Sequence, residues 1–255
     1  MVQYIIPPRM RAILTFHSID VFGSVLSFDE QLFDALLASL RKKEIPVCDL
    51  DSLLSGNEKA GVAITFDDGM KSVYQTALPI LQKHEAPAHV FLPTGVIDGD
   101  HLIAQDSTSV LPFEMLDWKE VEALHAAGIR IECHTHSHPD VRSLTVDQLA
   151  EECGKADELI HSRLGRKPEY FAYPFGYHNR MARDFVRNCY SASVTTELRQ
   201  LKDCEDTAAL PRLDAYYFRS RASLRLLNSP AMQLYLGLRS KMRTLRGSQC
   251  VADQV

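Results

Sequence analysis

The chain has 255 residues, 45% of them apolar, and a formal net charge of −5. That size suits one α/β domain of barrel dimensions without disulfide staples, and the charge argues against a whole-protein electrostatic grip on nucleic acid. The six cysteines (48, 133, 153, 189, 204 and 250) form no CxxC pair and read as reduced, mostly buried thiols.

The first nine residues, MVQYIIPPR, lack a basic start followed by a long apolar stretch. No secretory signal is therefore expected, and a cytoplasmic protein is the default. No apolar run approaches the roughly 18 residues of a spanning helix. Residues 11–17 (RAILTFH) are expected as a buried strand. Residues 28–43 place Leu32, Phe33, Leu36, Leu37 and Leu40 at the helical period, with Ser27 or Asp29 near the start. Residues 60–66 read as the next strand, Gly69 as a turn, and residues 70–84 as a helix. A strand at 88–92 ends in Pro93-Thr94-Gly95. The polar stretch 98–112 is expected as a loop over a site.

Residues 118–127 read as a helix stopped by Gly128, and 129–133 as an alternating strand. Residues 145–164 form a helix with Thr145 as cap and Gly165 as terminator. A short strand at 171–173 runs into Pro174-Phe175-Gly176. A helix near 180–188, a strand at 191–195 and a last strand at 210–217 follow. Strands alternating with helices imply a parallel sheet.

Two elements carry chemistry. Asp67-Asp68-Gly69 closes the apolar run Ala63-Ile64-Thr65-Phe66, and His134-Thr135-His136-Ser137-His138 follows later. One carboxylate and two imidazoles can hold a divalent cation, while the neighbouring carboxylate takes a proton from water. Alone, Asp-Asp-Gly is more often a turn. His17, Asp67, Asp68, His134 and Pro174 all fall at the C-terminal ends of expected strands, the edge where open sheets and barrels bind ligands. Cys133, next to His134 on a strand, should face the other way.

With Thr65-Phe66-Asp67-Asp68-Gly69, His134-Thr135-His136-Ser137-His138 and Tyr173-Pro174-Phe175-Gly176 in this order, the chain resembles the polysaccharide deacetylase (NodB-homology, carbohydrate esterase 4) family from about residue 11 to 217. The resemblance implies a distorted, incomplete (β/α) barrel. It implies a divalent metal, commonly zinc, and removal of an N-acetyl group from a sugar. By the same resemblance Asp67 is the general base, and Asp68, His134 and His138 are the metal ligands. Pro174 and Phe175 line the pocket, with the Phe175 N–H toward the oxyanion.

Two departures stand out. The Arg that many members carry before the Pro-aromatic-Gly motif is absent, as is any histidine after His178. Arg212 is the candidate replacement for the first, with an ordinary salt-bridge role equally open. Leu14-Thr15-Phe16-His17-Ser18 resembles an early strand of the poly-N-acetylglucosamine deacetylase-like branch, which makes His17 the candidate general acid. His136 is expected to be structural. Asp140 either bonds a ligand histidine or starts a turn.

Residues 1–217 are thus expected as the deacetylase-like domain, and 218–255 as a helical extension. No Asp or Glu occurs from 215 to 252, whereas Arg219, Arg221, Arg225, Arg239, Lys241, Arg243 and Arg246 do. Met232, Tyr235, Leu238, Met242 and Leu245 share a helical spacing. This helix either packs on the barrel or lies on an anionic membrane, at its inner face for a cytoplasmic protein. The substrate is expected to be an N-acetylated glycan or sugar conjugate. A small non-sugar amide or a catalytically silent carbohydrate-binding relative are the alternatives. Oligomeric state is open.

Overall fold

The computed structural model describes residues 10–55, 60–98 and 113–252, with the side chains of the last helix as far as Arg243. Most of the loop expected over the site, 99–112, lies outside them. The chain opens with β1 (Arg11–Phe16), then the two-residue strands β2 (Ser18–Ile19) and β3 (Ser27–Phe28), which pair with each other. Next comes α1 (Glu30–Lys42), whose Asp29 cap accepts from the Leu32 N–H, followed by α2 (Leu50–Leu54), capped by Asp49. β4 (Gly61–Phe66) leads through a π-helical turn, Val73–Ala77, into α3 (Leu78–His84). Then come β5 (Ala88–Leu92), α4 (Trp118–Ala126), β6 (Arg130–Cys133) and α5 (Val146–Leu164). β7 (Tyr170–Ala172), α6 (Arg180–Cys189), β8 (Ala192–Val194), β9 (Leu213–Asp214), α7 (Arg221–Arg225) and α8 (Pro230–Ala252) complete the chain.

Seven strands form one parallel sheet in the order β8-β7-β6-β5-β4-β1-β9. The last strand is shorter than the sequence suggests. Only Leu213 and Asp214 pair with β1, opposite Leu14 and Thr15, and the chain then tightens into a turn at Ala215–Phe218. A few residues earlier Leu210 bridges to Val194 of β8. The segment 210–214 therefore spans the gap between the two ends of the sheet. The result is a distorted, incomplete (β/α) barrel.

Alternation along the strands separates two cores. Ala12, Leu14, Phe16, Val62, Ile64 and Phe66 point outward, under the helices. Ile13, Ala63, Phe91, Tyr170 and Ala172 point into the barrel. Both sets are buried, as expected when helices cover the outside of a parallel sheet. Phe16, Phe28, Phe33 and Phe66 pack with ring centroids 5.1–5.9 Å apart, fixing the ends of β1 and β4 against α1. The inward parity then assigns position 17 after β1, 67 after β4 and 134 after β6 to the barrel mouth.

The C-terminal helices join this body. Leu224, Leu227, Met232 and Leu236 are buried in the outer core. The face of α8 that packs differs from the expected stripe. Met232 is buried, but Tyr235, Leu238 and Met242 are exposed, and Leu245 lies beyond the described side chains.

Candidate active site

Two adjacent residues on a strand normally face opposite ways, so Asp67 and Asp68 need a backbone device to share one site. Asp68 takes φ +72 and Gly69 φ +71. This sharp turn swings the second carboxylate back over the barrel mouth. His134 is followed by Thr135 at φ +66, and His138 itself sits at φ +59. The chain therefore folds back after His134, and the His138 N–H is held by the Thr135 hydroxyl at 3.1 Å. Left-handed conformations at non-glycine residues cost roughly 1–3 kcal/mol each. Four of them, Asp68, Thr135, His138 and Phe175, belong to this one site.

The result is a tight cluster of three buried ligating groups. Asp68 Oδ1 lies 3.4 Å from both His134 Nε2 and His138 Nε2, and the two nitrogens are 3.2 Å apart. His134 Nδ1 is 2.7 Å from the Ala172 carbonyl oxygen. A carbonyl only accepts, so Nδ1 carries the proton, and in the neutral ring Nε2 presents a lone pair. Burial lowers the His138 pKa, favouring the neutral, ligating form.

Burial alone would raise the Asp68 carboxyl. Pairing with His134 and His138 more than offsets it and holds Asp68 well below the usual carboxylate range. That pairing needs protons on both Nε2 atoms. A divalent cation supplies the same positive charge with both rings neutral. Asp68 Oδ2 is buried without a hydrogen-bond partner. The orphaned oxygen and the converging nitrogens fit a cation, and a two-imidazole, one-carboxylate set is suited to zinc.

Asp67 is held differently. Arg212 donates from its two terminal nitrogens to Oδ1 at 2.7 Å and Oδ2 at 2.6 Å. Its Nε donates to the Thr195 carbonyl oxygen at 2.9 Å, and Nη1 also reaches the Thr65 hydroxyl at 3.2 Å. Only 1% of Arg212 and 4% of Asp67 is exposed, so this is a desolvated, bidentate pair. Burial pushes the Asp67 carboxyl up, but the guanidinium outweighs it and keeps the group anionic.

His17 sits at the rim, half-buried, with Nε2 3.9 Å from Asp68 Oδ2. Phe175 turns at φ +59 in the tight Pro174–Gly176 turn, and its ring meets His138 edge-on at 4.6 Å. The structure thus brings His17, Asp67, Asp68, His134, His138, Phe175 and Arg212 to one end of the barrel, with Pro174 buried beside them.

His136 lies outside the cluster. Its Nδ1 is 2.9 Å from the Thr94 hydroxyl, and its carbonyl oxygen accepts from the Gly95 N–H at 2.7 Å. A Cβ at Gly95 would come 2.7 Å from that oxygen, so only glycine allows this approach. Asp140 does not touch a ligand histidine; it caps a short turn and pairs with Arg142. Cys133 faces outward into a separate core with Cys153 and Leu149.

One contributor carried no sequence signal. Glu152 of α5 accepts the backbone N–H groups of His136 at 3.0 Å and Ser137 at 2.8 Å, and the Ser137 hydroxyl at 2.8 Å. It ties down the loop between the two histidines. On an acidic helix surface, as Glu-Glu at 151–152, it looks like solvated charge.

Residues 55–192 match the family model described as polysaccharide deacetylase. The chain is 26% identical over 133 residues to the poly-beta-1,6-N-acetyl-D-glucosamine N-deacetylase of Staphylococcus aureus (strain N315), covering 48% of this chain and 42% of that protein. It is 26% identical over 197 residues to YxkH of Bacillus subtilis, provisionally named a polysaccharide deacetylase, covering 74% of this chain and 66% of that one. The chain therefore spans less than two thirds of the length of these curated relatives. Among solved structures, it superposes on the Streptococcus pyogenes deacetylase PplD, determined with acetate, at TM-score 0.70 and 25% identity, covering 81% of this chain and 92% of that one. IcaB from Ammonifex degensii shares the fold at TM-score 0.71 and 22% identity, covering 88% and 97%.

Proposed function

Because the chain belongs to the polysaccharide deacetylase family, we propose that it is a metal-dependent hydrolase removing the N-acetyl group from an N-acetylated sugar of a polysaccharide or glycoconjugate. The observation that carries this reading is the buried Asp68–His134–His138 cluster set beside an Asp67 held by Arg212. The S. aureus relative is named for N-deacetylation of an N-acetylglucosamine polymer.

Asp68, His134 and His138 would hold the cation, a donor set suited to zinc, which when bound supplies Lewis acidity toward the acetamide carbonyl and toward water. Asp67 takes the proton from water as its oxygen attacks the acetyl carbon. Arg212 keeps that carboxylate ionised and fixes its orientation, so that one lone pair faces the attacking water. The Phe175 N–H, in the Pro174–Gly176 turn, would serve as donor to the developing oxyanion. His17 donates a proton to the departing sugar nitrogen. The acetyl C–N bond breaks, a C–O bond forms, and acetate and a free amine leave. The Arg212–Asp67 pair speaks against a catalytically silent relative, because a carbohydrate-binding role needs no oriented base.

The test is acetate release, with zinc, cobalt or nickel supplied, from N-acetylglucosamine oligomers, lipid-linked N-acetylated sugars and small non-sugar amides. Turnover of a sugar substrate that depends on Asp67 is expected. Turnover confined to the small amides, or none with metal bound, would overturn the assignment.

A further inference from the structure

We propose that α8, the turn at Ala215–Phe218 and the loop between β2 and β3 form one docking surface for an anionic lipid bilayer. The first observation is apolar exposure. At the loop tip Val21, Phe22 and Val25 are 79%, 65% and 69% exposed. On α8, Leu234, Leu238 and Met242 recur every four residues with exposures of 67%, 54% and 43%, beside Tyr235 at 43%. Scattered apolar residues on a surface need no explanation, but a connected set does.

The set is connected through a run of contacts. Arg219 donates to the Val25 carbonyl oxygen at 2.6 Å and stacks on the Tyr216 ring at 4.6 Å. The Tyr216 ring meets Tyr217 at 5.4 Å, Tyr217 meets Tyr235 of α8 at 6.2 Å, and Arg239 lies over Tyr217 at 5.4 Å. The loop, the turn and the helix are thus one contiguous region.

Charge identifies the occupant. From residue 215 to 252 the chain holds no acidic residue, and the described stretch carries Arg219, Arg221, Arg225, Arg239, Lys241 and Arg243. Leu, Tyr and Phe interleaved with Lys and Arg are what a helix lying in a headgroup layer presents. Among the described residues no helix is long and apolar enough to cross a membrane, so the contact is peripheral. The buried Met232 and Leu236 fasten α8 to the barrel, so the docked surface carries the catalytic body with it. The loop begins at Asp20, three residues after His17, which places the barrel mouth close to that surface.

The test uses the full chain in co-sedimentation with vesicles of phosphatidylcholine alone or mixed with phosphatidylglycerol. Binding to the mixed vesicles is expected, weakening in about 1 M salt, where screening shortens to roughly 3 Å. The triple variant R239E/K241E/R243E should bind at least about tenfold more weakly. F22S/L234S/L238S should lose binding at either salt concentration. Thermal midpoints and acetate release from a soluble substrate should not change in either variant, which separates docking from catalysis. Three results would overturn the proposal: no sedimentation with mixed vesicles at low salt, equal binding by parent and variants, or a dimer in solution that the same substitutions dissociate without vesicle binding. The last would assign the face to a second copy.

Discussion

Arg212 and Asp67 stand 145 positions apart in the chain, yet their side chains form a bidentate and almost fully desolvated ion pair. Removing one partner of such a pair leaves a buried charge uncompensated. Arg212→Met is therefore expected to lower stability by about 3–5 kcal/mol and to abolish turnover. Arg212→Lys keeps the charge but not the fork, so it should fold and lose on the order of a hundredfold in kcat with metal binding intact. The two aspartates should separate in the same assay. Asp67→Asn is expected to retain metal with turnover lost, and Asp68→Asn to lose metal, as read by metal analysis of purified protein beside rate measurements; equal loss of metal in both would refute the division of labour. Asp67, Asp68, His134 and His138 could be singled out from sequence because each pair is local. Arg212 was reachable only as a substitute for a residue missing elsewhere, because a contact across 145 positions leaves no spacing to read. The Ala172 carbonyl that sets the His134 tautomer is backbone and is invisible in sequence.

At the scale of elements, ligand placement rests on turns, and the turns rest on neighbours. Glu152 reaches from α5 to three donors of the loop joining His134 and His138. Glu152→Gln keeps the size but removes the charge that strengthens those bonds. Metal affinity should fall about tenfold or more, while Glu151→Gln, one position away on the same helix, changes nothing; titration calorimetry with zinc would compare them. The long helices were legible because their caps are spelled out. Asp29 caps α1, Thr145 with Gln148 forms a capping box on α5, and Gly165 ends α5 at φ +71. The two-residue strands β2 and β3 and the five-residue α2 were missed, since a period cannot be read from so few residues. The helix expected over 70–84 starts instead with a π-helical turn, and π-turns have no sequence pattern of their own.

The molecule as a whole carries a half-buried acid on the outer helix α5. Asp157 of α5 accepts from the Tyr190 hydroxyl at 3.0 and 3.1 Å, and burial pushes its carboxyl up to about 6. A carboxyl whose folded pKa exceeds its unfolded one binds more protons when folded. Its contribution to stability is therefore full below about pH 4 and is lost as pH rises toward 6. Asp157→Asn should gain on the order of 2 kcal/mol over the parent at pH 7, with the difference vanishing near pH 4. Denaturant melts at several pH values would read that difference. The barrel architecture itself was legible because strand–helix alternation and strand-end polar residues repeat along the chain. Its closure was not, because it depends on one bridge at Leu210 and a two-residue pairing at Leu213 and Asp214 rather than on a full strand.

That closure gives the barrel a built-in interlock. Arg212 sits inside the five-residue seam, between the residue that grips β8 and the residue that grips β1. A molecule whose seam has sprung open has at the same moment released the guanidinium from Asp67, so under the proposed mechanism a half-assembled barrel is inactive. Deuterium uptake at the Leu210 and Arg212 amides, which bond to Ser193 and Glu197 carbonyls, should therefore rise in step with inactivation on warming, ahead of the amides in β4 and β5.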